Sequence, residues 1–71
     1  MKWLVAKDKW INLDRLELIK FYPDRVLVVF SDGYENIEIP EGTMQDIEEN
    51  LRIFIGKEGW QFFDFDDYIK T

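Results

Sequence analysis

The sequence predicts a single α+β domain, residues 1–71, in which an antiparallel sheet of four or five strands packs against one amphipathic helix. An apolar run at residues 25–30 and an alternating run at residues 34–39 flank Asp32-Gly33, a dipeptide typical of tight β-hairpins. Apolar residues recur with helical spacing between Met44 and Ile55. With 71 residues, the chain can build one small core.

Two short strands are expected at the amino-terminal end, at residues 3–6 and 10–13, joined by a turn at residues 7–9. Asp14-Arg15 interrupts the pattern before a third strand at residues 16–22. That strand ends at Pro23-Asp24, whose proline and aspartate both favour a β-turn. The chain therefore opens with short strands connected in sequence.

Two-residue turns at Pro23-Asp24 and Asp32-Gly33, the latter of type I′, predict the register of the following strands. This register pairs Val28 with Ile37 and Val26 with Ile39. The first face of the sheet then carries Ile19, Phe21, Val26, Val28, Phe30, Ile37 and Ile39. The second face carries Leu18, Lys20, Leu27, Val29, Asn36 and Glu38.

The helix is predicted to begin after Thr43 as N-cap, with Asp46 completing a carboxylate variant of the capping box. Gly56 is expected to follow the helix as its C′ residue. The apolar stripe consists of Met44, Ile47, Leu51, Phe54 and Ile55. This stripe should cover the first face of the sheet and close the core.

An aromatic segment from Trp60 to Tyr68 follows, with apolar residues at both odd and even positions. Either this segment folds over the second face of the sheet, or that face and the segment serve a partner or a second copy of the chain. The predicted partner-binding residues are Leu18, Leu27, Val29, Trp60, Phe62, Phe63, Phe65 and Tyr68. A small SH3-like barrel is the alternative fold, disfavoured by the length of the helix.

The chain contains neither cysteine nor histidine, which excludes disulfides, histidine-based zinc sites and histidine-dependent catalytic triads. Its net charge is −6, divided into +2 for residues 1–25 and −8 for residues 26–71. We therefore do not expect nonspecific nucleic-acid binding. The alternative is that a local basic and aromatic surface binds single-stranded nucleic acid. This surface would be formed by Trp3, Trp10, Lys7, Lys9, Arg15 and Lys20.

Few residues suggest chemistry. Asp64, Asp66 and Asp67, with Glu58 nearby, are the best metal candidates, but Phe65 separates the acids and no glycine follows as in calcium loops. We expect no catalytic residues, no metal, no cofactor and no small-molecule substrate. The short apolar run before Lys7 fits neither a signal peptide nor a membrane span, so a cytoplasmic location is expected.

The residues N-L-D-R-L-E-L-I, the Pro-Asp turn, the apolar strand and the Asp-Gly turn, at positions 12–33, are followed by an alternating strand and an acidic helix. This layout resembles the small flagellar proteins of the FlbD type, and similar layouts recur in small bacterial and phage proteins. The resemblance covers about half of the chain and implies the order of strands and helix. The chain differs in its start and in its aromatic tail.

These features predict a non-enzymatic protein-interaction or assembly module whose partner is another protein or a second copy in a homodimer. The alternative is an acidic decoy that occupies a basic, nucleic-acid-binding protein, because the strong negative charge after Arg25 resembles that of nucleic acid. The two differ in their expected response to salt. Binding through charge weakens as ionic strength rises, whereas an apolar interface persists.

Overall fold

A computed structural model describes residues 1–69 and shows an α+β fold with one main helix and two sheets of three strands each. The strands are β1 (Trp3–Ala6), β2 (Lys9–Asn12), β3 (Leu16–Phe21), β4 (Arg25–Phe30), β5 (Gly33–Glu38) and β6 (Phe62–Asp64). The helices are α1 (Met44–Gly56) and α2 (Asp66–Ile69), with one 3-10 turn at Leu13–Arg15. The predicted class is confirmed, but the prediction of one sheet with four or five strands was wrong.

The first sheet has the order β2-β1-β6, and the aromatic segment supplies its third strand. β6 runs parallel to β1 and pairs Phe63 with Leu4. The pairing is extended on both sides, where the Trp3 N–H donates to the Gln61 carbonyl at 2.8 Å and the Phe65 N–H donates to the Val5 carbonyl at 2.9 Å. The aromatic segment is thus part of the fold. It adds the third strand to the first sheet and does not cover the second face of the single sheet that the sequence predicted.

The second sheet has the order β3-β4-β5. Its β3–β4 register agrees with the two-residue turn predicted at Pro23-Asp24, since Phe21 pairs with Val26. The β4–β5 register differs from the prediction by two residues, because Val26 pairs with Ile37. A shift of two residues leaves every side chain on its predicted face, so the division into two faces holds.

The turn between β4 and β5 explains the shifted register. Phe30 pairs with Gly33, which places Ser31-Asp32 at the centre of the turn. Neither central residue has a positive φ, so this is not the type I′ turn that the sequence predicted. Two consecutive positive φ angles occur instead in the β1–β2 hairpin, at Lys7 (51°) and Asp8 (67°).

Replacing Lys7 and Asp8 together by Asn-Gly should raise the free energy of unfolding by about 1 kcal/mol, because a left-handed conformation costs an ordinary L-residue about 1–2 kcal/mol. Urea denaturation of the double variant measures the gain. The same replacement at Ser31-Asp32, where no positive φ has to be accommodated, is the matched control and should give no gain. Equal effects at the two turns would contradict the assigned turn geometry.

Helix α1 begins after Thr43 as predicted, but the predicted capping box is not formed. The Thr43 hydroxyl donates to the Pro40 carbonyl at 2.7 Å and caps no helical N–H. At the other end, Gly56 is the last helical residue and not the C′ residue. The last turn contains no basic residue, and the Lys2 ammonium donates to the Phe54 carbonyl there, which places a cation at the negative end of the helix dipole.

One hydrophobic core joins both sheets and α1. Its buried members are Leu4, Ala6, Ile11, Val26, Val28, Ile37, Ile39, Ile47, Leu51, Phe54, Phe63 and Phe65. Ile55 was predicted to belong to the apolar stripe of the helix, but it is exposed and does not belong to the core. The core-facing sides of the sheets are therefore covered by each other and by the helix, and their outer sides remain for other contacts.

Candidate partner-binding surface

The outer face of the second sheet, defined by Leu18, Lys20, Leu27, Val29, Tyr34 and Asn36, contains a continuous apolar row. Leu18 pairs with Val29, and Val29 pairs with Tyr34, so the three side chains cross the sheet side by side. The side chains of Leu18 and Tyr34 are 50% and 66% exposed. An exposed apolar row of this kind is typical of a surface that binds another protein.

A β-bulge between Leu16 and Leu18 produces this arrangement. The two leucines are two residues apart and would share one face in a regular strand. Because Glu17 is the extra residue, Leu16 pairs with Phe30 and packs against the core, whereas Leu18 pairs with Val29 and lies on the outer face. The bulge therefore allows β3 to serve both the core and the outer surface.

A shallow groove of about 500 Å³ lies beside Val29 and Tyr34, at the turn end of the sheet. It is lined by Glu17, Leu27, Val29, Phe30, Ser31, Gly33 and Tyr34. Tyr34 was not among the predicted binding residues. Its even number places it on the same face as Asn36, but the predicted register placed it beside the turn and not beside Val29. The correct register would have identified it.

The structure separates most of the aromatic segment from this outer face. Phe63 is 1% exposed, and its ring stacks on that of Tyr68 with centroids 5.3 Å apart. Phe65 is fully buried, and Trp60 and Tyr68 pack against the core. These four residues lie in and around the core, and the structure does not bring them together with Leu18.

Phe62 lies elsewhere, on the outer face of the first sheet, where it forms an exposed aromatic cluster with Trp3 and Trp10. The ring centroids of Trp10 and Phe62 are 5.2 Å apart, and those of Trp3 and Trp10 are 6.2 Å apart. Trp10 is 58% exposed and Phe62 is 46% exposed. The two sheets therefore each carry an apolar outer surface.

The cations near this aromatic cluster have partners within the chain. Lys9 pairs with Glu35 at 2.8 Å, and Arg15 pairs with Asp32 at 2.7 Å. The Lys7 ammonium donates to the carbonyl of Asn36 at 3.2 Å. Lys9 and Arg15 thus each have a carboxylate partner, which lowers the positive charge available to nucleic acid beside Trp10, whereas the carbonyl that Lys7 contacts carries no charge.

Asp64 has a structural contact, because its carboxylate accepts the N–H of Asp66 at 2.9 Å. Within residues 1–69, no three carboxylates converge into a group that could hold a metal ion. Burial raises the pKa of the Tyr68 phenol above its usual value of 10.0, and the negative charge of Asp67 acts in the same direction. The Tyr68 phenol is protonated at neutral pH, as a tyrosine with an ordinary pKa also is.

Comparisons with protein-family models, curated proteins and solved structures gave no match. No helix in residues 1–69 has the length and apolar character needed to cross a membrane.

Proposed function

We propose that the chain is a non-enzymatic protein-interaction or assembly module that binds its partner through the outer face of the second sheet. The observation that carries this proposal is the row of Leu18, Val29 and Tyr34, which is apolar, continuous and partly or largely exposed. A single exposed leucine is common on protein surfaces, but apolar side chains on three neighbouring strands form a patch, and such patches mark interaction surfaces. A partner that covers the row would gain the free energy of removing it from water.

The polar residues around the row fit this role. Lys20 and Asn36 flank Leu27 in the next row of the same face, and Glu17 lies at the edge of the groove. A central apolar region with a polar rim is the usual organisation of a protein–protein interface. The rim contains both signs of charge, so binding here should depend less on salt than binding to an acidic decoy surface would.

Affinity capture from a cell extract tests this proposal. The immobilised full chain is compared with a Leu18→Gln/Val29→Thr variant at salt concentrations of about 50 mM and about 500 mM. We expect the unmodified chain to retain its partner at both salt concentrations. The variant should bind at least about tenfold more weakly, because exposed apolar anchors at the centre of an interface dominate its affinity.

The matched control is Trp10→Gln/Phe62→Thr, which makes a similar change on the outer face of the first sheet. This control should bind as the unmodified chain does. Loss of binding at the higher salt concentration would support the acidic-decoy alternative instead. Loss of binding only in the control would move the interface to the aromatic cluster of the first sheet and contradict the proposal.

A further inference from the structure

The outer edge of β3 has backbone groups that no strand satisfies. The Tyr22 N–H donates to the Arg25 carbonyl at 2.9 Å, so the backbone groups of Tyr22 face β4. In an antiparallel pair the direction alternates, which turns the N–H and C=O of Ile19 and Phe21 away from β4. β3 is the last strand of its sheet, and no backbone hydrogen bond from elsewhere in residues 1–69 reaches these groups.

The opposite edge of the same sheet is different. There, the outward carbonyl of Asn36 in β5 accepts the Lys7 ammonium, and Glu35 forms an ion pair with Lys9. The β1–β2 hairpin therefore lies against β5 and blocks a further strand on that side. Of the two edges of this sheet, β3 is the one that can accept a strand.

Opposite charges flank the two apolar residues Leu18 and Ile19 on β3. Glu17 and Lys20 are both exposed, on either side of Leu18 and Ile19. Neither side chain forms an ion pair within residues 1–69. A strand with a negative charge at one end and a positive charge at the other is complementary to a copy of itself running in the opposite direction.

We propose that β3 of a second copy of the chain pairs antiparallel with β3. The second sheet of each copy then becomes half of one sheet with six strands. The pairing goes beyond the proposed function, because it uses the edge of β3 and leaves the outer face of the second sheet open. The pairing is centred on Ile19, whose N–H and C=O bond to those of Ile19 in the second copy. Leu18 then lies beside Lys20 of the second copy, and Glu17 comes within reach of the same lysine.

This geometry continues the apolar row of one copy toward that of the other. The bulge at Glu17 limits the regular pairing to a few residues around Ile19. The contact is therefore small, and the dimer is reversible and weak. The charges favour one relative direction, since a parallel arrangement would place Glu17 beside Glu17 and Lys20 beside Lys20.

Sedimentation equilibrium of the full chain between about 10 μM and about 1 mM, the range expected for a small interface, measures the dimer constant. Glu17→Lys and Lys20→Glu should each weaken dimerisation at least tenfold at low salt. The double variant Glu17→Lys/Lys20→Glu restores the complementary pattern and should return within about threefold of the unmodified constant. Circular dichroism verifies the fold of each variant.

A monomer at all concentrations would overturn the proposal, as would a dimer that the charge reversals leave unchanged. An isotope-filtered NMR experiment on a mixed labelled sample of the unmodified chain needs no variant. It should show contacts between Leu18 of one copy and Lys20 of the other, and their absence in the dimer would also overturn this pairing. A monomer that still captures another protein through Leu18 and Val29 would refute self-pairing and leave the proposed function intact.

Discussion

Replacing Phe63 by alanine is expected to lower the free energy of unfolding by about 3–5 kcal/mol, the usual cost of deleting a buried aromatic ring. Phe63 is 1% exposed and lies among other aromatic rings. Its ring centroid is 5.1 Å from that of Phe65, 5.3 Å from that of Tyr68 and 5.7 Å from that of Phe54. The alanine variant would leave a cavity bordered by β6, α1 and α2. Urea denaturation followed by circular dichroism measures the loss.

Phe62→Ala is the matched control, because it removes the same ring from the neighbouring position of the same strand. Phe62 is 46% exposed and contacts Trp10 on the outer surface. Its loss should cost about 1 kcal/mol or less, in the range of a partly exposed aromatic contact. Similar losses for the two variants, or a larger loss for Phe62→Ala, would contradict the orientation of β6.

The pattern of apolar residues predicted the faces of the second sheet but not its register. Val26, Val28, Ile37 and Ile39 were expected to face the core, and all four are buried. Pairing Val26 with Ile37 or with Ile39 satisfies this pattern equally, because the two registers differ by an even number of residues. The choice between the two registers therefore depended on the turn, and the Asp32-Gly33 dipeptide predicted the wrong turn.

The position of the aromatic segment could not be predicted from local signals. Parallel pairing of β6 with β1 joins residues that are almost sixty positions apart, and no turn connects them. Alternation was also obscured at residues 62–65. Phe63 and Phe65 face the core and Asp64 is outward, but the outward position 62 holds an apolar ring that packs on Trp10. The contact with Trp10 explains why an apolar residue occupies position 62, whereas the sequence pattern does not explain it.

Part of the candidate surface could be predicted because parity alone defines it. Leu18, Leu27 and Val29 were assigned to one face, and the structure places them on the outer face of the second sheet. The bulge at Glu17 and the role of Tyr34 depend on register, so neither could be predicted from alternation.

Shortening the chain after Lys57 should abolish cooperative folding at room temperature. The deletion removes β6 and two fully buried rings, Phe63 and Phe65, and it leaves β1 with an unpaired inner edge. Each ring is expected to contribute about 3–5 kcal/mol. The whole chain is expected to have about 4–10 kcal/mol of stability, so the loss is as large as the total.

The aromatic segment belongs to the core and leaves the outer face of the second sheet open. Comparing the full and shortened chains by urea denaturation and sedimentation equilibrium tests this claim most directly. A cooperative transition is expected for the full chain and none for the shortened chain. A shortened chain that unfolds cooperatively with unchanged stability would contradict it, because the segment would then lie outside the core.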